Sequence, residues 1–270
     1  MATKKTEVAK AKNTALQEAD AMFEQHAGEG LENVTGSDIL VPRLELLQAL
    51  SPQLKRRDPA FIPDGVIGSI ADLGTGELFG GLDKDDNNTP IGFLPVHFSK
   101  VWIEWIPREN GGGLAEIHET DAIMAQCGDG DDRYTLPNGN TISETMQFFG
   151  LNLDAQARRC FVSFKSSQLK KGRKLNTLAT SEKIERADGT PFTPPLFYRS
   201  YLLGAGMENK NQDEWAGWVI ERGPKMTDLD GFQFIYDEAV AFRKSLIAGE
   251  SKADNSDLEK EPDSNNDGRM

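Results

Sequence analysis

Apolar residues along this chain fall mostly into short runs closed off by Gly, Pro, Asn and Asp. That pattern predicts strands joined by tight turns. VIGSIADLGTGELFGG (Val66 to Gly81) reads as two short strands around an Asp-Leu-Gly-Thr-Gly turn. IGFLPVHFSKVWIEWIP (Ile91 to Pro107) is the strongest strand signal, being rich in β-branched and aromatic residues. YTLPNGNTIS (Tyr134 to Ser143) puts Asn138-Gly139 at a hairpin tip. RRCFVSFK (Arg158 to Lys165) and PLFYRSYLL (Pro195 to Leu203) read as strands, the latter followed by the turn ENKNQDE and the strand WAGWVIE.

Helical spacing is rarer. Leu40, Leu44, Leu47 and Leu50 in SDILVPRLELLQALSP fit a short amphipathic helix or an extended segment. Near the end, Thr227 and Asp230 form a start like a capping box, and Phe232, Ile235, Ala239, Phe242 and Leu246 make an apolar stripe. Together these predict a mainly β fold with helical additions, either an OB-like barrel or a small β-sandwich.

The two ends lack this patterning. Residues 1–35 read as a flexible, charged N-terminal arm, 36–248 as one β-rich domain, and 249–270 as a disordered acidic tail. The apolar stretch Leu40 to Leu50 is broken by Pro42, Arg43, Glu45 and Gln48, so no membrane span is expected. MATKKTEVAK has no apolar region behind its lysines, and Cys127 and Cys160 are too few for a disulfide framework. A cytoplasmic protein is the expectation.

Charge changes the picture. The net charge is −13, yet Arg158 to Arg186 holds nine basic and two acidic residues. One basic segment therefore sits on an otherwise acidic chain.

Catalytic and metal motifs are missing from the sequence. Asp83 to Asn88 begins like an EF-hand loop, but the sixth position is Asn88 and the twelfth is Leu94. Gly128 to Asp132 is similarly incomplete. His26, His97 and His118 have no zinc spacing with the cysteines. Gly111-Gly112-Gly113 has no helix behind it to hold a phosphate. The expectation is a protein that is not an enzyme, with no cofactor and no metal.

The positive signal is RRCFVSFKSSQLKKGRK, in which a strand with aromatic residues runs through a Ser-rich turn into a cationic cluster. Single-stranded nucleic acid asks for cations along its phosphates and flat rings against its unpaired bases. Lys165, Lys170, Lys171, Arg173, Lys174 and Arg199 are the candidate phosphate partners, and Phe161, Tyr201 and Trp102 the candidate stacking rings. Alternation in PLFYRSYLL would place Phe197, Arg199 and Tyr201 on one face. From Glu250 to Asp267 seven carboxylates stand against two lysines, a tail able to cover a basic groove or recruit proteins.

ILVPRLELLQALSPQ, IGSIADLGTGELFGG, IGFLPVHFSKVWIEW, FVSFKSSQLKKGRKLNT and the late GWVIERG, taken in order, resemble a family of tailed-phage proteins with a role as single-stranded DNA-binding proteins in replication or recombination. The resemblance covers about residues 36 to 245 and implies an OB-like fold, no catalysis, and binding to single-stranded DNA. The acidic tail is similar to those of many single-stranded DNA-binding proteins but ends Gly-Arg-Met, without their hydrophobic tip.

The expected partners are single-stranded DNA and, through the tail, phage replication or recombination proteins, with a homo-oligomer left open. The alternative is a virion structural or adaptor protein that does not bind nucleic acid.

Overall fold

Strands dominate because β-branched and aromatic residues repeat with a period of two along most of the chain. The computed structural model describes residues 22–23, 25–35 and 38–256. In chain order the strands are β1 (Leu40–Val41), β2 (Arg43–Leu46), β3 (Ser69–Asp72), β4 (Leu78–Leu82), β5 (Asn88–Thr89), β6 (Ile91–Trp105) and β7 (Leu114–His118). They continue with β8 (Thr141–Asn152), β9 (Arg158–Lys165), β10 (Ile184–Glu185), β11 (Pro191–Phe192), β12 (Arg199–Lys210), β13 (Asp213–Lys225) and β14 (Lys252–Ala253). Two long helices, α1 (Leu169–Thr180) and α2 (Phe232–Ile247), accompany the strands, with several short stretches of 3-10 helix.

Ten strands form one sheet in the order β13-β12-β6-β8-β9-β2-β3-β4-β5, with β7 added on β6. All its pairings are antiparallel except β2 with β9. The first half of β6 lies within the curl of the sheet. Its second half projects as a three-stranded arm between β7 and β8. A bulge between Pro95 and His97 marks the change, at the point where proline removes a ladder donor.

The sheet curls until its ends meet through side chains. Asn88 in β5 accepts from Ala205 N of β12 at 2.8 Å, and Gly204 beside it leaves room for the amide. Gln48, just beyond β2, accepts from Ala216 N at 3.0 Å and donates to Ala216 O at 3.0 Å. One side-chain amide thus stands in for a strand along part of the outer edge of β13. The architecture is mainly β with helical additions and barrel-like. It is one curled sheet and not two facing ones, so of the two forms left open by the sequence the sandwich is not adopted.

Alternation gives the sheet two apolar faces. Leu44, Ile70, Phe93, Phe148, Val162, Phe164, Leu203 and Trp218 line one face, where Leu175 of α1 joins them. Leu94, Val96, Phe149, Leu151 and Phe161 line the other, under Ile235, Ala239 and Phe242 of α2.

Several local expectations change. The Leu40-to-Leu50 segment takes the extended form, as β1 and β2, since Arg43, Leu44 and Leu46 pair with β9 and β3. KKGRK, read only as a cationic cluster, is helical. In PLFYRSYLL, Leu196–Tyr198 is a 3-10 turn and the strand starts only at Arg199, with a bulge before Tyr201. The alternation assumed for Phe197, Arg199 and Tyr201 is therefore broken. The capping box does not form at α2, whose N-cap is Gly231 at φ 68° with no side-chain cap. Within the segment read as a disordered tail, Ser251 is buried against Ser245, and β14 pairs in parallel with β1. The rest of the tail, beyond residue 256, lies outside the described residues.

By its contacts the chain divides into Met1–Ile39 and Leu40–Met270. Most of the first unit, which holds the expected N-terminal arm, lies outside the described residues. Among its described residues, 25–35 form a series of exposed turns.

Candidate nucleic-acid interface

Helix α1 follows β9 directly and closes over the sheet. Leu169, Gly172, Leu175, Leu178 and Ala179 recur at helical spacing and face the core. Gly172 is there for closeness: a methyl at that position would stand 3.2 Å from Phe164 Cβ. Facing outward are Lys170, Arg173 and Lys174, with Lys171 half-buried. The basic segment is therefore the polar side of an amphipathic helix.

That helix runs beside the outer edge of β13, which has no strand partner there. Trp218 N donates to Gln168 Oε1 at 3.0 Å, Lys174 Nζ donates to Ile220 O at 2.7 Å, and Arg222 Nη2 donates to Ser181 Oγ at 2.7 Å. Three steps along the helix meet three steps along the strand, and each contact leaves a cation or its neighbour at the surface.

Carboxylates sit beneath these cations. Glu208 of β12 takes Lys171 at 2.7 Å and Lys170 at 3.9 Å, and Trp215 Nε1 also donates to it. Burial works against the Glu208 carboxylate. The Lys171 bond, the charges of Lys171 and Lys170, and Gln168 outweigh it and hold the carboxyl below its usual range. Glu182, just past α1, takes Arg199 at 2.7 Å and lies 3.8 Å from Arg222. Arg173 pairs with Glu144 at 3.1 Å. Lys225, opposite Arg199 in the β12–β13 ladder, stands over the Tyr198 ring at 5.8 Å.

The structure brings together four of the predicted cations, Lys170, Lys171, Arg173 and Lys174, with Arg199 at the far end of the same strip. Arg199 is committed: its guanidinium also donates to Gly223 O at 2.8 Å, so its fork is filled from within the chain. Lys165 ends β9 half-buried opposite Thr145, apart from the row on α1.

The three rings predicted to stack do not take that role. Phe161 is 0% exposed and stacked on Phe149 under α2. Tyr201 is 1% exposed, and burial raises its hydroxyl pKa. Trp102 is 6% exposed on the projecting arm, its indole donating to Asp121 at 2.7 Å. A ring with no open face has nothing to offer a base. The half-buried rings beside the cations are instead Trp215 and Tyr198.

Sequence reasoning missed Arg222 and Lys225 as members of the strip. The signal was present, since alternation in WAGWVIERGPK carries Arg222 on from Trp218 and Ile220 along one face of β13. The loop at Asp83 is closed on itself, its carboxylate accepting from Asp85 N, Asn87 N and the Asn87 amide.

The molecule thus combines a curled, barrel-like sheet, an amphipathic helix over one side and a cationic strip along the seam. Among the described residues no helix is long and apolar enough to cross a membrane. The family model described as Pam3 phage gp34-like protein matches residues 10–252, and the chain belongs to that family of phage proteins. No curated protein and no solved structure matches it.

Proposed function

We propose that this phage protein binds single-stranded DNA, with the phosphates following the strip formed by α1 and the edge of β13. One observation carries the reading. Lys170, Lys171, Lys174, Arg222 and Lys225 lie along one seam, and Glu208 and Glu182 are the carboxylates that touch them. On a chain of net charge −13 this seam gathers positive charge.

The internal ion pairs do not oppose the reading. A partly exposed pair is worth only about 0–1 kcal/mol, so a phosphate can replace a carboxylate partner at small cost. Lys170 and Arg173, 67% and 58% exposed, meet solvent already. Stacking passes from the buried rings to Trp215 and Tyr198, which makes phosphate pairing the larger contribution and sequence tolerance the consequence.

The test is a titration of the folded protein with oligo-dT, followed by tryptophan fluorescence at two salt concentrations. Binding should weaken by a log–log slope of about −0.7 for each phosphate neutralised. Replacing Lys170, Lys171, Arg173 and Lys174 with Ala should lower the affinity at least tenfold, with circular dichroism confirming the fold. Unchanged affinity in that variant removes the site, and no binding at low salt removes the function.

A virion structural or adaptor role has one observation in its favour. Phe232, Tyr236 and Ile247 share one face of α2 and are 44–61% exposed. Co-purification with particles, together with unaltered oligonucleotide mobility, would favour that role.

A further inference from the structure

The projecting arm carries a group of side chains unrelated to the cationic strip. In the β6–β7 ladder Trp102 lies opposite His118 and Glu104 opposite Glu116. The turn at Asn138-Gly139 folds over the same face. Asn140 Nδ2 and Asn138 Nδ2 donate to Glu104 Oε1 at 2.5 and 3.2 Å, and His118 Nε2 lies 2.8 Å from Glu104 Oε2. His118 Nδ1 is 3.9 Å from Glu116 Oε1.

Glu104 is 6% exposed, and its carboxylate accepts from the amides of Asn140 and Asn138 and meets His118 Nε2. It is thus a buried anion with a second carboxylate beside it. Among the described ion pairs neither Glu104 nor Glu116 meets a lysine or arginine. Lys100, on the same face of β6, is taken by Asp121 at 2.6 Å. His118 is the basic side chain that meets Glu104, so a cation held by both, with Glu116 beside them, would neutralise this buried carboxylate.

The donors specify its chemistry. One ligand atom each from Glu104, Glu116 and His118 lies within 4.8 Å of the others. A nitrogen among them favours a transition metal over Mg2+ or Ca2+, which take oxygen ligands. The two asparagines hold one oxygen of Glu104 and turn the other toward His118, the part that supporting groups play around a metal ligand.

Ligands of tetrahedral Zn2+ stand about 3.3–3.6 Å apart. One imidazole nitrogen would hold the ion: with Nε2 as donor, its 2.8 Å contact to Glu104 would open by about half an ångström, and the exposed Glu116, within 4.8 Å, would swing in by about an ångström.

We propose that Glu104, Glu116 and His118 form a divalent transition-metal site of the Zn2+ type, which ties the outer strand β7 to β6. Three protein donors leave a position for water or another oxygen ligand. The site stands apart from the nucleic-acid reading and does not depend on it.

The experiment is a titration of chelator-treated, untagged full-length protein with Zn2+ by calorimetry and with Co2+ by visible absorption. The expected result is one equivalent bound, with a rise in thermal midpoint. His118→Ala and Glu116→Gln should each weaken binding at least tenfold, while His26→Ala leaves it unchanged. Glu116 is 68% exposed, so its variant keeps the comparison valid should the histidine variant fail to fold. The proposal is overturned if the wild-type chain takes up neither ion, if uptake is undiminished in Glu116→Gln, or if Ca2+ binds and Zn2+ does not.

Discussion

At the scale of single residues, the turns were the most legible part of the chain. Asn138-Gly139 sits at a turn where Gly139 adopts φ 85°. Asp72 caps the Gly74-Thr75 turn by accepting both amides at 2.9 and 3.0 Å. Gly81 illustrates a constraint hidden from local pattern. Its φ is 82°, and a methyl built on it would run into the carbonyl oxygen of Gly68 and stand 2.8 Å from Ile70 N. Both neighbours are main chain held in or beside β3 and cannot yield cheaply. Left-handed backbone costs an L-residue about 1–2 kcal/mol before any clash. Gly81→Ala is expected to destabilise the fold by roughly 3 kcal/mol or more, measured by urea unfolding. A loss below about 1 kcal/mol would show that the strand pair can shift to admit a methyl.

Among the elements, several strands were foreseen, while β7, most of β8 and α1 were not. In the sequence KKGRK reads only as a cationic cluster after a Ser-rich turn, with no element assigned to it. Here Gly172 serves the approach of helix to sheet, a reason that only the packed molecule displays. The sequence grouped Lys170, Lys171, Arg173 and Lys174 without showing the helix that presents them. Ring exposure failed for a related cause: alternation sorts Phe161 from Phe164 but does not say that both faces of the sheet are covered.

The link between α1 and β12 gives a pH-dependent expectation. Because Glu208 has a folded pKa below its ordinary 4.5, the stability it contributes is complete above that value and is lost as pH falls through the lowered one. Glu208→Gln should flatten this acid-side loss in thermal melts between pH 3 and 6 (about 1.5 units either side of the ordinary value). The same change releases Lys170 and Lys171. Oligo-dT affinity at low salt should then rise roughly two- to fivefold, the worth of a partly exposed ion pair. Weaker binding in that variant would mean that Glu208 orients the lysines for their ligand and does not compete with it.

At the scale of the whole molecule, mainly β architecture with a barrel-like curl followed from the spacing of strands and turns. What no periodicity contained was the manner of closure, which depends on Gln48 and Asn88 meeting β13 and β12 from far along the chain. Gln48→Ala would strand Ala216 N and O, on a residue 1% exposed, at a cost of about 1–3 kcal/mol. The expected signature is a lower urea midpoint with unchanged strand content by circular dichroism. An unaltered midpoint would mean that water satisfies those groups as well as the amide does.

The seam also governs how this molecule meets others. A bare strand margin invites a neighbouring chain to hydrogen-bond onto it, the usual start of β-mediated aggregation. Here Gln48, Gln168 and Lys174 occupy the outward groups of Ala216, Trp218 and Ile220. Copies that meet at this margin would thus stay separate folded bodies, because that hem is already stitched from within.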